Sequence, residues 1–228
     1  MGLALVFSDT HIPFLDSKAF LEVLNALKNN KYDKVIIPGD LMDFYGISRF
    51  DNSPNRADDL EYELTCGKEV LDKIRNYHAG EVIFLEGNHC ERLQRFLSRG
   101  KNRALYNLSC LKIDELLNFK KYNVINQGLY YHLNDNFIIT HGTKCGIEPA
   151  KGEALAHGIS GMSGHSHKTQ TYKKNYYNKT IEWYSLGCLA DIKALEYASR
   201  YNYQWDQSFA EIDYTNNNQK IIIHSIEK

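Results

Sequence analysis

Lys34-Val35-Ile36-Ile37-Pro38-Gly39-Asp40-Leu41-Met42-Asp43 is the stretch from which the fold can be read. Lys34 to Ile37 is a short apolar run rich in β-branched residues, it is bounded by turn residues, and it delivers two aspartates directly beyond its end. Similar runs stand on either side, at Leu3 to Phe7 and Glu81 to Leu85. Between them, Lys18 to Lys28 carries Phe20, Leu21, Leu24 and Leu27 at helical spacing, and Asp59 to Asn76 carries Leu60, Leu64, Leu71 and Ile74. The alternation is βαβαβ, which predicts a parallel sheet with right-handed crossovers.

After Lys120 the pattern changes to closely spaced strands: Asn123 to Asn126, Leu129 to Leu133, Phe137 to Thr140, Gln170 to Lys174, Thr180 to Ser185, Phe209 to Tyr214 and Lys220 to Ile226. Polar turns such as Asn134-Asp135-Asn136 and Asn216-Asn217-Asn218 separate some of them. This half is expected to form a second, largely antiparallel sheet, packed face to face on the first with helices outside. No linker-like segment divides the halves, and a length of 228 residues fits one domain spanning 1–228 that buries its own core.

The composition is that of a globular protein, with 24% charged residues and no apolar run of membrane-spanning length. Met1 to Phe7 is too short for a signal-peptide core, and Val6 stands where myristoylation of Gly2 would want Ser or Thr. The five cysteines are scattered without a CxxC pair, as expected of reduced thiols, so a cytoplasmic location without membrane attachment is expected. A net charge of −1 gives no global attraction to nucleic acid or anionic lipid.

Five short motifs hold most of the polar residues suited to chemistry: Asp9-Thr10-His11, Gly39-Asp40-Leu41-Met42-Asp43, Gly87-Asn88-His89, His141-Gly142 and Gly164-His165-Ser166-His167. Four of them come directly after a predicted strand. Ligands collect at the carboxyl edge of a parallel sheet, so the motifs are expected to converge there. Each alone is a weak signal. Together they form a mixed oxygen and nitrogen set of the kind that holds transition-metal dications.

The ordered set D-x-H, G-D-x-x-D, G-N-H, H and G-H-x-H, from Asp9 to His167, resembles the calcineurin-like metallophosphoesterase superfamily, in particular its small phage and bacterial members. The resemblance implies an α/β fold of two mixed β-sheets face to face with flanking helices, a four-layer αββα sandwich. It implies two divalent cations, one held by Asp9, His11 and His167 and the other by Asn88, His141 and His165, with Asp40 bridging. Manganese is the first choice; iron, cobalt, nickel and zinc are alternatives. Such a pair can clamp a phosphoryl oxygen and activate a bridging water as hydroxide. The resemblance gives His89 the role of protonating the leaving oxygen or stabilising the transition state, with Asp43 orienting it.

Two departures from the family pattern stand out. Cys90 occupies the place after the G-N-H histidine where many members carry an acid, and Phe44 stands where protein serine/threonine phosphatases place an arginine. The second counts against a protein phosphatase. His78, His132, His157 and His224 lie outside the motifs and read as surface or satisfied core groups, and Tyr172, Tyr176, Tyr177, Trp183 and Tyr184 as cross-strand partners.

The segment after His89 reads as a helix ending near Gly100, with Arg92, Arg95 and Arg99 on one face beside an apolar face of Leu93, Phe96 and Leu97. A solvated surface helix looks like this; so does a substrate-binding strip next to a metal site. Three functions stay open at this level. One is a phosphodiesterase acting on nucleic acid or a nucleotide, the second a phosphomonoesterase or pyrophosphohydrolase on small substrates. The third is a scaffold that has lost the chemistry, as the retromer subunit resembling this family has. The intact motifs favour an enzyme with a phosphorylated substrate; the oligomeric state is open.

Overall fold

The strand read from Lys34 runs to Pro38 in the computed structural model, which describes residues 2–48, 59–195, 204–215 and 219–227. It is the second of a parallel set: β1 (Leu3–Val6), α1 (Ser17–Asn29), β2 (Lys34–Pro38), α2 (Leu60–Tyr77) and β3 (Glu81–Leu85). Both helices start where an aspartate offers its side chain to otherwise unpaired N–H groups. Asp16 accepts from Lys18 at 2.9 Å, and Asp59 accepts from Tyr62 at 2.7 Å. Next along the chain come α3 (Cys90–Ser98), α4 (Ile113–Leu116), β4 (Val124–Asn126), β5 (Tyr130–Asn134), β6 (Phe137–Thr140), α5 (Pro149–His157) and β7 (Ser160–Ser163). The last strands are β8 (Gln170–Asn175), β9 (Thr180–Ser185), β10 (Ser208–Asp213) and β11 (Lys220–Ser225).

The first sheet has the order β11-β10-β1-β2-β3-β4, and the second β5-β6-β7-β9-β8. Both are mixed. The pairs from β1 through β4 are parallel, whereas β10 and β11 are antiparallel additions at one edge. In the second sheet β6–β7 and β7–β9 are parallel, and β5–β6 and β8–β9 antiparallel. This corrects the largely antiparallel second half expected from sequence, since β4, β10 and β11 complete the first sheet. The turn expected at residues 216–218 lies outside the described residues.

Alternation along the strands separates three apolar layers. Leu5, Phe7, Val35, Ile37, Val82 and Phe84 face α1 and α2, whereas Ala4, Val6, Ile36, Ile83 and Leu85 meet Phe137, Ile139 and Met162 of the second sheet. On the far side, Ile138, Ile181 and Trp183 pack against Ala150 and Ala154 of α5. The layers are therefore helix, sheet, sheet, helix. Tyr172 lies directly opposite Trp183 across β8 and β9, as the cross-strand reading expected, while Tyr177 is fully exposed. Among the described residues no helix is long and apolar enough to cross a membrane.

Candidate metal centre

All five motifs leave the carboxyl ends of strands at one edge shared by both sheets. Asp9 and His11 come after β1, Asp40 and Asp43 after β2, Asn88 and His89 after β3, His141 after β6, and His165 and His167 after β7. The backbone must turn sharply there to aim the side chains inward. Asp9, His11, Asp40, His165 and His167 accordingly sit at φ between 45° and 64°, a left-handed region that costs a non-glycine residue about 1–3 kcal/mol. Glycines make room where side chains crowd. Gly39, at φ 89°, lies against the His141 ring, and a methyl group on Gly87 would overlap Asp40 Oδ1.

One group of donor atoms gathers around His167. Its Nε2 lies 3.0 Å from His11 Nε2 and 3.2 Å from Asp9 Oδ1. The other gathers around His141, whose Nε2 lies 3.0 Å from Asn88 Oδ1 and 3.2 Å from both His165 Nδ1 and Asp40 Oδ2. Asp40 also forms a close group with His11 and His89, which puts it between the two sets. Several imidazole lone pairs aimed at one another in a buried space cannot all be served by protons. A dication serves them together, and carboxylate, amide and imidazole donors suit transition metals. The donor set fits the pair of ions that the resemblance implies.

Electrostatics agree with that demand. Burial alone would raise the Asp9 carboxyl, but His167 beside it outweighs burial and holds it at about 2. Asp40 is held well below the carboxylate range against its burial, chiefly by His141 and His89. Burial would lower His141, and Asp40 instead raises it to about 9. Without metal, imidazolium protons supply the positive charge that the buried carboxylates require; metal ions would compete with those protons.

A second layer of contacts fixes the rings. His141 Nδ1 faces the Pro38 carbonyl at 2.9 Å, so a proton sits there and Nε2 is the atom turned toward Asn88, His165 and Asp40. Asp43, fully buried, has Oδ2 at 3.1 Å from His11 Nδ1 and at 3.3 Å from His89 Nδ1, and its backbone carbonyl accepts from His89 Nδ1 at 3.0 Å. The sequence reading assigned Asp43 to His89 alone. His11 and Arg92 share it: Arg92 Nη1 donates to Oδ1 at 2.7 Å, and Nη2 lies 3.0 Å from His89 Nε2. Burial lowers His89, but Asp40 and Asp43 more than compensate, so its pKa is raised.

Arg92 is thus turned toward Asp43 and His89, while Arg95 forms an exposed pair with Glu91 on the same helix. Arg92, Arg95, Phe96 and Arg99 nevertheless line one cavity of about 400 Å³ that is bounded by Ile47 and Ser48 and reaches Asn88. Cys90 and Cys188 are buried, which pushes both thiols up and leaves them poor nucleophiles.

Sequence reasoning missed three residues. Ser8 Oγ bonds the Asp9 carboxylate. Trp205 packs edge-on against His167, centroids 4.1 Å apart. Glu153 of α5 is 1% exposed, and its Oε1 accepts the backbone N–H groups of Thr143 and, at 2.7 Å, Lys144, which fixes the turn after His141-Gly142. A glutamate inside a short alanine-containing helix gives no sequence signal of that role. His157 stacks on Trp183 with centroids 5.0 Å apart, and His224 on Phe209 at 4.7 Å, as the structural reading of the remaining histidines expected.

A family model described as calcineurin-like phosphoesterase matches residues 3–206. The chain is 26% identical over 219 residues to the Gene 54 protein of Mycobacterium phage L5, covering 90% of this chain and 86% of that protein. Among solved structures, Vps29 of Chaetomium thermophilum aligns over 99% of this chain and 94% of its own at 12% identity and a TM-score of 0.48. The nuclease MPE of Pseudomonas putida aligns over 98% and 87% at 11% identity and a TM-score of 0.43.

Proposed function

The chain belongs to the calcineurin-like phosphoesterase family, and on that premise we propose that it is a two-metal phosphodiesterase acting on nucleic acid or a nucleotide. Asp9, His11 and His167 hold one dication, Asn88, His141 and His165 the other, and Asp40 is shared. Two dications, when bound, supply Lewis acidity and a water acidified toward neutral pKa, with manganese the first choice. The observation that carries the reading is the approach of ligand atoms from both sheets to 3.0–3.2 Å of one another around His167 and His141.

The chain's own residues do the rest. His89 is held at Nδ1 by the Asp43 carbonyl, and its Nε2, which faces Arg92 Nη2 at 3.0 Å before substrate binds, passes a proton to the departing oxygen once a phosphate draws that end of the guanidinium away; its raised pKa favours the protonated ring. Asp43 orients both His89 and the ligand His11. Arg92 braces this pair, and Arg95 and Arg99 receive the substrate in the cavity beside Asn88. A cavity that extends well beyond one phosphate favours a diester, with groups on both sides, over a monoester.

The test is hydrolysis in Mn²⁺ of bis-p-nitrophenyl phosphate against p-nitrophenyl phosphate. The reading expects the diester to be preferred and chelation to abolish turnover. Preference for the monoester would make a phosphomonoesterase or pyrophosphohydrolase the better account.

A further inference from the structure

Between Glu91 and Arg103 the chain carries Arg92, Arg95, Arg99, Lys101 and Arg103 against one acid, Glu91, although the whole protein has a net charge of −1. The excess is local. Helix α3 buries Cys90, Leu93 and Leu97 toward the core, so its cationic face turns outward. On that face Phe96 remains 40% exposed and lines the same cavity as Arg95 and Arg99. An aromatic ring left in water beside guanidinium groups is not accounted for by core packing.

From this juxtaposition we infer that the cavity between α3 and Ile47-Ser48 is a single-stranded nucleic-acid site, with Phe96 stacking one base and Arg95 and Arg99 holding backbone phosphates. The inference rests on the phosphodiesterase reading and narrows its substrate. Arg95 and Arg99, at and just past the end of α3, are about 6 Å apart along its axis at 1.5 Å per residue, a separation suited to a charge that repeats along a strand. The cavity of about 400 Å³ lies within the size range of small-ligand sites and has room for a base and its sugar. Its Asn88 end joins the metal ligands, so a strand laid along the arginines leads its phosphates toward the reacting centre.

Stacking requires an open base face, which a paired base inside a duplex does not offer; Phe96 therefore selects for single strands. The Arg95–Glu91 pair is no obstacle. Both side chains are about half exposed, 55% and 51%, and such pairs in water are worth little, so phosphate can displace the carboxylate. The backbone-and-base chemistry is common to DNA and RNA.

The experiment compares wild type, Phe96→Leu, Phe96→Tyr and the Arg95→Ala/Arg99→Ala double variant in Mn²⁺, on oligo(dT), oligo(rU), a phosphoserine peptide and bis-p-nitrophenyl phosphate. For Phe96→Leu, the ratio of oligonucleotide to small-diester kcat/KM falls about tenfold or more, as loss of one stacked base requires, and Phe96→Tyr restores it. Oligonucleotide binding by the double variant loses about 0.7 of log–log salt slope per arginine. Equal effects on oligo(dT) and oligo(rU) support a shared backbone-and-base site, and an effect on one alone assigns the site to that polymer. A wild type active on the small diester, with ratio and slope unmoved by the variants, overturns the nucleic-acid site and leaves the phosphodiesterase standing. A wild type inactive on the small diester overturns the phosphodiesterase reading itself. Turnover of the phosphopeptide that depends on the arginines and ignores Phe96 overturns the stacking assignment.

Discussion

Asp43 holds His11 by its Nδ1 atom at 3.1 Å, and the opposite ring nitrogen of His11 then meets His167 Nε2 at 3.0 Å. A carboxylate that grips the far side of a ligand imidazole fixes its tautomer and raises its basicity. The same carboxylate is bonded to Arg92 and lies beside His89, so one buried side chain aligns the proposed metal ligand His11 and the proposed proton donor His89 together.

Asp43→Asn keeps the size of this side chain and removes its charge. Affinity for the ion on the Asp9, His11 and His167 side should fall about 10–100-fold, the usual cost of losing such a partner. Mn²⁺ titration would register it as one weakened step of two; two unchanged steps would contradict the assignment.

His89→Asn separates binding from chemistry. Both metals should remain while the rate falls about 10²–10⁴-fold, the usual contribution of a positioned proton donor. The loss should be smaller for p-nitrophenyl esters, whose leaving group needs little protonation, than for nucleoside esters. Equal losses on both would rule out proton donation and leave only charge stabilisation.

Glu153→Ala strands the backbone donors of Thr143 and Lys144, at a cost of about 1–3 kcal/mol. Because these donors shape the turn directly after His141, metal should also bind more weakly on the Asn88, His141 and His165 side. Glu153→Gln, which keeps an acceptor oxygen, should recover most of both losses. Thermal melting and Mn²⁺ titration of the two variants measure this, and identical behaviour of Ala and Gln would refute it.

In the metal-free protein Asp40 outweighs burial and pushes His141 up to about 9, above its ordinary value of 6.5. A group raised on folding gives stability that is fully present below its unfolded pKa and is lost as pH rises through the folded one. The chelated protein should therefore lose Tm between about pH 6.5 and 9 on this account, and the Mn²⁺-loaded protein should not, because metal replaces the proton. Asp9, lowered from 3.8 to about 2, works in the opposite direction. Its stabilisation is present above 3.8 and lost as pH falls toward 2. Melting curves across both windows, with and without chelator, test the two signs.

Much of this gathering of side chains was legible in the sequence, because four of the five motifs follow a strand visible there, and a parallel sheet gathers the loops that leave its carboxyl edge. The run Lys34 to Ile37 and its Asp40 needed only local pattern. Sheet membership was less legible. The strands at Val124 and Ser208 pair with partners far away in sequence, the strand at Lys220 simply follows its neighbour Ser208–Asp213, and alternation is the same in either sheet. The strand Ser160–Ser163 has no β-branched residue, and α5 between Pro149 and His157 is short and alanine-containing; neither stood out. The bond from Asp43 to His11 joins side chains 32 residues apart, and a motif's spacing carries no trace of it.

The most direct test is elemental analysis of purified wild type and Asp40→Ala after loading with Mn²⁺ and removal of free metal. Asp40 approaches His141 at 3.2 Å and also groups with His11 and His89, so the account predicts about two ions per chain in wild type and loss of both in the variant. Unchanged metal content in Asp40→Ala would contradict a shared ligand and the two-metal centre built on it.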